Sequence, residues 1–108
     1  MFSEDEFFEY MWADVATAIT YWVDRERTEL GPSGLVVVPE DDTEEYTLSP
    51  SDFKKKVQEL AQAGYGFNSY AKKFYDDVRE GNYGAADYDA TIVDDAVQQA
   101  LFDDVRYG

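Results

Sequence analysis

The spacing of apolar residues near the start of the chain predicts a long amphipathic helix. From Phe8 to Val23, apolar side chains recur every three or four positions, which is the periodicity of one helix face. Ser3 is a suitable N-cap, and acidic residues fill the turn after it, where the helix dipole favours anions. The pattern predicts a helix over residues 4–28, which the Gly-Pro-Ser-Gly segment at 31–34 ends.

Two short extended segments follow this helix. Residues 35–38 are apolar and mostly β-branched, and residues 45–48 alternate polar and apolar side chains. A polar turn separates them, so the pair is predicted to form a β-hairpin. Because an isolated hairpin is only marginally stable in water, we expect this one to lie against the helices.

Three shorter amphipathic helices complete the pattern. Their predicted N-caps are Ser49 or Ser51, then Asn68, then Asp87 or Asp89. The order helix, hairpin, three helices predicts an α+β fold with helices covering one face of the sheet. At 108 residues, the chain is long enough for one hydrophobic core, so residues 1–108 are expected to form a single domain.

Charge narrows the range of functions. The chain has 24 acidic and 9 basic residues, a net charge of −15. A field of this sign repels nucleic acid and anionic membranes, and it attracts basic protein surfaces. No apolar run approaches the roughly 20 residues that span a bilayer. The expected setting is therefore the cytoplasm, and the expected partner is a protein.

The residue types that the chain lacks argue against catalysis. There is no histidine or cysteine, which removes the commonest general base, the thiolate nucleophile and zinc–thiolate sites. The adjacent pairs Asp76-Asp77, Asp94-Asp95 and Asp103-Asp104 do not form acid–base dyads, because neighbouring helical residues point about 100° apart. We expect no enzymatic activity, no catalytic residue and no cofactor.

The densest acidic segment is PEDDTEEYTLSP, which places five carboxylates in the six positions of 40–45. A calcium-binding loop needs a central glycine and ligands at alternating positions over a longer segment. This segment lacks both features, which leaves room only for weak binding of calcium or magnesium. It is predicted to be a solvated turn first, and part of a charged binding surface second.

Three groups of residues resemble a known group of proteins when they are taken together. The segments are Ala18-Ile19-Thr20-Tyr21-Trp22 in the first helix, Tyr46-Thr47-Leu48-Ser49-Pro50 running on through Leu60-Ala61 to Gly64-Tyr65-Gly66, and Val97-Gln98-Gln99-Ala100-Leu101-Phe102 with the ending Val105-Arg106-Tyr107-Gly108. In this order they resemble small accessory proteins encoded by tailed phages and prophages of actinobacteria. The resemblance extends over most of the chain, although each segment is short.

The resemblance implies an origin rather than a reaction. It implies a small phage protein that acts in the infected host cell, outside the virion, and it supplies no catalytic residues. Small acidic proteins of that origin often bind and disable host enzymes. This chain is more acidic than the group that it resembles, above all at residues 40–45 and at Asp103-Asp104.

The resulting hypothesis is that the chain imitates nucleic acid. Carboxylates on helices and turns can stand in for phosphates and occupy the basic groove of a host nucleic-acid-handling protein, such as a defence nuclease. The residues predicted to contact the partner are Glu40, Asp41, Asp42, Glu44, Glu45, Asp76, Asp77, Asp94 and Asp95.

Two other interpretations stay open. The acidic surface could serve only the solubility of an ordinary interaction or structural module, or it could reflect adaptation to high salt. The basic run Lys54-Lys55-Lys56 argues against salt adaptation, and its lysines are expected to pair with nearby acids. The sequence does not specify an oligomeric state.

Overall fold

The computed structural model describes residues 3–31 and 33–107. In chain order its elements are α1 (Glu4–Ala13), α2 (Val15–Ala18), β1 (Glu29–Gly31), β2 (Gly34–Val37), β3 (Tyr46–Leu48), α3 (Pro50–Gln62), α4 (Ser69–Arg79) and α5 (Ala90–Phe102). The α+β class is confirmed, with a helix first and a small antiparallel sheet packed against helices.

The caps of the three later helices follow the sequence signals. The side chains of Ser49, Asn68 and Asp89 accept hydrogen bonds from backbone amides in the first turns of α3, α4 and α5. Each cap satisfies an amide that has no partner within the helix, so each fixes where its helix begins. Pro50 follows Ser49 at the first helical position, where its missing amide hydrogen costs nothing.

The first helix is much shorter than the predicted 4–28. α1 ends at Ala13, α2 adds one turn to Ala18, and the residues between Asp24 and Thr28 form no helix. Threonine, tyrosine, tryptophan and valine at 20–23 have modest helix propensity. Their tertiary contacts decide the outcome, because Val23 forms a β-bridge with Pro39 instead of continuing the helix.

The sheet has one strand more than the sequence pattern indicated. β2 pairs antiparallel with β3, as predicted, with Leu35 opposite Leu48 and Val37 opposite Tyr46. The extra strand is β1, which pairs with β2 so that Gly31 lies opposite Gly34. The glycine-rich segment predicted to end a helix therefore lies at the end of a hairpin.

The hydrophobic core is shared by all the helices and by the inner face of the sheet. α5 packs against α2, α3 and β3, which makes it the central element. Aromatic side chains fill much of the space between the helices: Phe7 lies against Phe74, and Trp12 meets Phe53 edge to face. The indole nitrogen of Trp12 also donates to the carbonyl of Gly31 at 3.3 Å, which ties the first hairpin to α1.

Close packing at Gly66 gives a direct test of this arrangement. A β-carbon on Gly66 would lie 2.7 Å from the Cα of Lys72 and 2.8 Å from its Cβ, and the α4 backbone cannot move away easily. Gly66→Ala is expected to lower the free energy of unfolding by about 1–3 kcal/mol, as overpacking does. Urea denaturation measures this change.

Gly84 supplies the matched control, because a β-carbon there would meet nothing within 4 Å. Gly84→Ala should change the free energy of unfolding by less than about 1 kcal/mol, and the loss of backbone freedom in the unfolded chain favours stabilisation. Equal effects of the two substitutions would contradict the packing of the 64–68 segment on α4.

Candidate functional site

The aspartate pair in α5 is not on the surface. Asp94 is 7% exposed and Asp95 is 8% exposed, and they are the only buried acidic residues in the described part of the chain. The expectation that both lie on an exposed carboxylate surface is therefore wrong, whereas contact of either residue with a partner stays a prediction. The physical reason is that α5 lies at the centre of the fold and is covered on most of its circumference, so even its polar positions are enclosed.

Asp94 is satisfied by donors from two parts of the chain. Its Oδ1 accepts from the indole nitrogen of Trp22 at 2.7 Å and from the side-chain amide of Gln98 at 3.0 Å. Its Oδ2 accepts from the hydroxyl of Tyr21. A buried carboxylate requires such partners because its charge has lost the hydration that water would provide. The donors hold the segment after α2 against α5.

Gln98 extends this network to the C-terminal residues. It is completely buried, and its Oε1 accepts from the backbone amides of Arg106 and Tyr107, both at 2.8 Å. Its Nε2 donates to the carbonyl of Tyr107 at 2.9 Å as well as to Asp94. One side chain therefore fixes the position of the tail beside Trp22, whose ring stacks on that of Tyr107 with centroids 4.9 Å apart.

Asp95 has a different environment, although it is the next residue. The hydroxyl of Tyr65 donates to its Oδ1 at 2.8 Å, and no cation of the described residues pairs with it. Burial raises the pKa of Asp95 above its ordinary value; the hydrogen bond from Tyr65 opposes this shift, and the charge of Asp94 adds to it. The site therefore holds a carboxylate that is costly to ionise.

A cleft of about 630 Å³ opens above the two aspartates. Asp94 and Asp95 line it together with aromatic and small apolar side chains, among them Tyr21, Tyr65 and Tyr107. Tyr21, Phe67 and Val105 are 54%, 40% and 37% exposed, so three large side chains with apolar surface meet water around one cleft. The cleft combines negative charge at its base with accessible aromatic walls.

The acidic turn at 40–45 lies at the surface, as predicted, and its backbone is well organised. The carboxylate of Asp42 accepts from the amides of Thr43 and Glu44 at 2.7 and 3.0 Å, and these bonds hold the pKa of Asp42 below its ordinary value. The hydroxyl of Tyr46 donates to Glu44 at 2.9 Å. Glu40, Asp41, Glu44 and Glu45 are all exposed.

Tyr107 connects the acidic turn to the aromatic cleft. Its hydroxyl donates to Asp41 at 2.8 Å, while its ring stacks on Trp22 and forms part of the cleft wall. The amide of Glu40 also donates to the carbonyl of Trp22 at 3.0 Å, which continues the short pairing begun by Val23. The turn and the cleft are therefore neighbouring parts of one face.

The remaining predicted contact residues, Asp76 and Asp77, are half-buried and neutralised within α4. Lys72 and Arg79 pair with Asp76, and Lys73 pairs with Asp77 at 2.7 Å. These carboxylates contribute less to the external field than the residues of the turn.

The lysine run behaves as expected where the structure records ion pairs. Lys54 lies 3.4 Å from Asp5, and Lys56 lies 3.1 Å from Asp103. Such exposed pairs contribute little stability, but they do remove both partners from the free surface charge.

A sequence signal for the buried pair existed in the residues around it. Asp94 and Asp95 interrupt an otherwise apolar segment, with Ile92-Val93 before them and Ala96-Val97 after them. Apolar residues spaced this densely around a helix indicate burial on most sides. Carboxylates inside such a helix require donors from within the protein. The pattern therefore indicates buried carboxylates and argues against an exposed charged face. No local pattern identifies Tyr21 or Tyr65 as those donors.

Comparison of the chain with protein-family models, with curated proteins and with solved structures found no match. The resemblance to phage accessory proteins therefore stays a prediction. Within residues 3–31 and 33–107, no helix has the length and hydropathy needed to cross a membrane. The same described ranges contain no group of three or more potential metal-ligating side chains arranged around one point.

The role of Gln98 can be tested by truncation. Gln98→Ala removes four hydrogen bonds at once, so it is expected to lower the free energy of unfolding by about 2–4 kcal/mol and to release the tail. Denaturant unfolding measures the first effect, and faster hydrogen exchange at the amides of Arg106 and Tyr107 measures the second. Gln99→Ala is the control, because Gln99 is only partly buried and makes one long bond to Tyr65 at 3.3 Å. Slow exchange at both tail amides in the Gln98 variant would contradict this role.

The tyrosines around the carboxylates predict loss of stability at high pH. Burial, followed by the bonds to Asp94, Asp95 and Asp41, raises the pKa of Tyr21, Tyr65 and Tyr107 from 10.0 to about 12. A raised pKa favours the neutral phenol in the folded state, so this stability is fully present below pH 10 and is lost as the pH rises towards 12. Urea unfolding across this range should show a fall that is smaller in Tyr65→Phe, which lacks one titrating phenol. Equal slopes for the two proteins would contradict the assignment for Tyr65.

Proposed function

We propose that the protein is a phage-type accessory protein that binds a host nucleic-acid-handling protein, such as a defence nuclease, and blocks it. The binding surface is the acidic turn at 40–45, which occupies a basic groove in place of nucleic acid. The protein acts in the cytoplasm of the infected cell, and it carries out no chemistry of its own.

The observation that carries the proposal is an ordered group of exposed carboxylates without internal ion pairs. No salt bridge among the described residues involves the turn at 40–45, whereas Asp76 and Asp77 are both paired. The charges of the turn are therefore available to an external cation. They also add to a net charge of −15, which steers a basic partner towards the protein from a distance.

The order of the turn supports a binding role. Hydrogen bonds to Asp41, Asp42 and Glu44 hold three of its carboxylates in place before any partner arrives. A preformed surface loses less conformational entropy on association than a flexible acidic tail would. Solubility requires exposed charge but no fixed arrangement of that charge.

The geometry restricts the proposed surface to part of the predicted set. Glu40, Asp41, Asp42, Glu44 and Glu45 form it, Asp76 and Asp77 lie outside it as internally paired residues, and Asp94 and Asp95 do not belong to it because they are buried.

The proposal predicts that the immobilised protein retains a host protein, and that either salt or nucleic acid releases it. The protein is immobilised, an actinobacterial extract is applied at low salt, and bound material is eluted either by a salt gradient or by duplex DNA. Mimicry predicts that both eluents release the same protein, since counterions and phosphates compete for one groove. The triple substitution Glu40→Gln, Glu44→Gln, Glu45→Gln should weaken retention, with elution at lower salt.

A matched control is Glu9→Gln, Glu26→Gln, Glu80→Gln, which removes the same charge from exposed positions elsewhere. It should elute close to the unmodified protein. Retention that neither salt nor DNA reverses would contradict mimicry and favour a conventional interaction module. Equal weakening by the two triple variants would show that only net charge matters, as the solubility interpretation requires.

A further inference from the structure

We propose that the cleft above Asp94 and Asp95 is an anchor for a single arginine side chain of the partner protein. The guanidinium would pair with Asp95 and lie against the tyrosines of the cleft walls. This inference rests on the proposed function only in taking the partner to be a basic protein; the site itself is separate from the acidic turn.

One carboxylate oxygen at the base of the cleft has no donor among the described residues. Both oxygens of Asp94 are occupied, Oδ1 by Trp22 and Gln98 and Oδ2 by Tyr21. Asp95 uses Oδ1 for the hydroxyl of Tyr65, and its Oδ2 accepts no hydrogen bond from the described residues. This oxygen is open to the cleft, so an incoming guanidinium can replace water there with a charge-assisted hydrogen bond.

The described part of the chain supplies no cation of its own to this carboxylate pair. Among the described residues, no salt bridge involves Asp94 or Asp95. Arg106 lies near the cleft, but it stacks on Phe102 at 4.2 Å from the ring centre and donates to the hydroxyl of Tyr46. An external positive group that enters the cleft would therefore meet no competing cation from the described residues at Asp95.

The chemistry of the walls selects the kind of cation. Tyr21, Tyr65, Phe67 and Tyr107 present aromatic surface around the carboxylates. A guanidinium stacks on aromatic rings, donates to a carboxylate and is less strongly hydrated than an ammonium group. A metal ion fits less well, because the hydroxyl, indole and amide donors already occupy the Asp94 oxygens.

The rim of the cleft argues for a protein rather than a small free cation. Tyr21, Phe67 and Val105 form an exposed apolar patch at the opening. A lone guanidinium compound would leave this patch in water, whereas residues beside an arginine in a partner chain would cover it. A central buried arginine surrounded by apolar contacts is a common arrangement at protein interfaces.

The test uses two capped peptides, Gly-Leu-Arg-Leu-Gly and the same peptide with citrulline in place of arginine. Citrulline keeps the shape and removes the charge. The arginine peptide is expected to bind at least about tenfold more tightly, with shifts of the Tyr21, Trp22 and Tyr65 ring signals in NMR titrations. Equal affinities, or shifts confined to residues outside the cleft, would overturn the proposal.

Asp95→Asn separates a binding role from a structural one. The amide keeps the hydrogen bond to Tyr65 and removes a charge that burial disfavours. The variant is expected to unfold at an equal or higher urea concentration at neutral pH and to lose about tenfold in affinity for the arginine peptide. Lower stability combined with unchanged affinity would show a purely structural carboxylate and would overturn the proposal.

A second pair of variants keeps the test valid if Asp95→Asn does not fold. Phe67→Ala removes an exposed cleft wall, and Tyr70→Ala removes a side chain of similar exposure that lies outside the cleft. Only the first should weaken binding of the arginine peptide. Equal effects would count against the cleft.

Two further measurements separate this inference from the proposed function. Agmatine, a free guanidinium compound, should bind more weakly than the peptide; equal binding would mean that the cleft takes a small free cation and that docking of a partner is wrong. The triple glutamine variant of the acidic turn should still bind the arginine peptide with unchanged affinity. If the peptide does not bind while salt-reversible retention persists, the cleft inference alone fails. If the peptide binds while retention is insensitive to salt, the mimicry proposal alone fails.

Discussion

The burial of Asp94 in the central helix is the constraint on which much of this fold depends. A carboxylate with 7% exposure needs donors in place of water, and the structure provides Tyr21, Trp22 and Gln98. Tyr21 and Trp22 lie more than 70 positions away along the chain, so the requirement acts as a long-range tie. These bonds hold Tyr21 and Trp22 against α5, beside the bridge between Val23 and Pro39, and Gln98 holds the tail to the same helix.

The two adjacent aspartates of α5 differ in their hydrogen bonding: Asp94 is fully bonded within the protein, and Asp95 has one oxygen without a donor among the described residues. Asp94 has all the partners that it needs, and replacing any of them would leave a buried charge exposed to an apolar environment. Asp95 has one partner and a raised pKa, so the folded state gains little from its charge. This is the carboxylate to which the proposed arginine would pair, because an incoming guanidinium would compensate its charge.

Tyr107 contacts both the acidic turn and the cleft above the two aspartates. Its ring packs on Trp22 beside the cleft, and its hydroxyl holds Asp41 in the acidic turn. Gln98 in turn holds the backbone of Tyr107. The buried amide of Gln98 therefore fixes Tyr107, and Tyr107 in turn fixes Asp41 at the surface. The acidic turn and the aromatic rim of the cleft are therefore close enough for the proposed partner to contact both.

Local chemistry in the sequence determined the α+β class, the pairing of β2 with β3 and the start of each later helix. Ser49, Asn68 and Asp89 cap their helices through bonds to amides three residues away, so the signal and its partner are close together in the chain. The acidic turn was also predictable, since no apolar residue interrupts its charges.

Only the tertiary structure decided where the first helix ends, which charges are buried and which aromatic groups surround them. Those outcomes depend on contacts between residues far apart in the chain. A short apolar periodicity cannot distinguish a helix that continues from a segment in which Tyr21 and Trp22 donate hydrogen bonds to the distant Asp94.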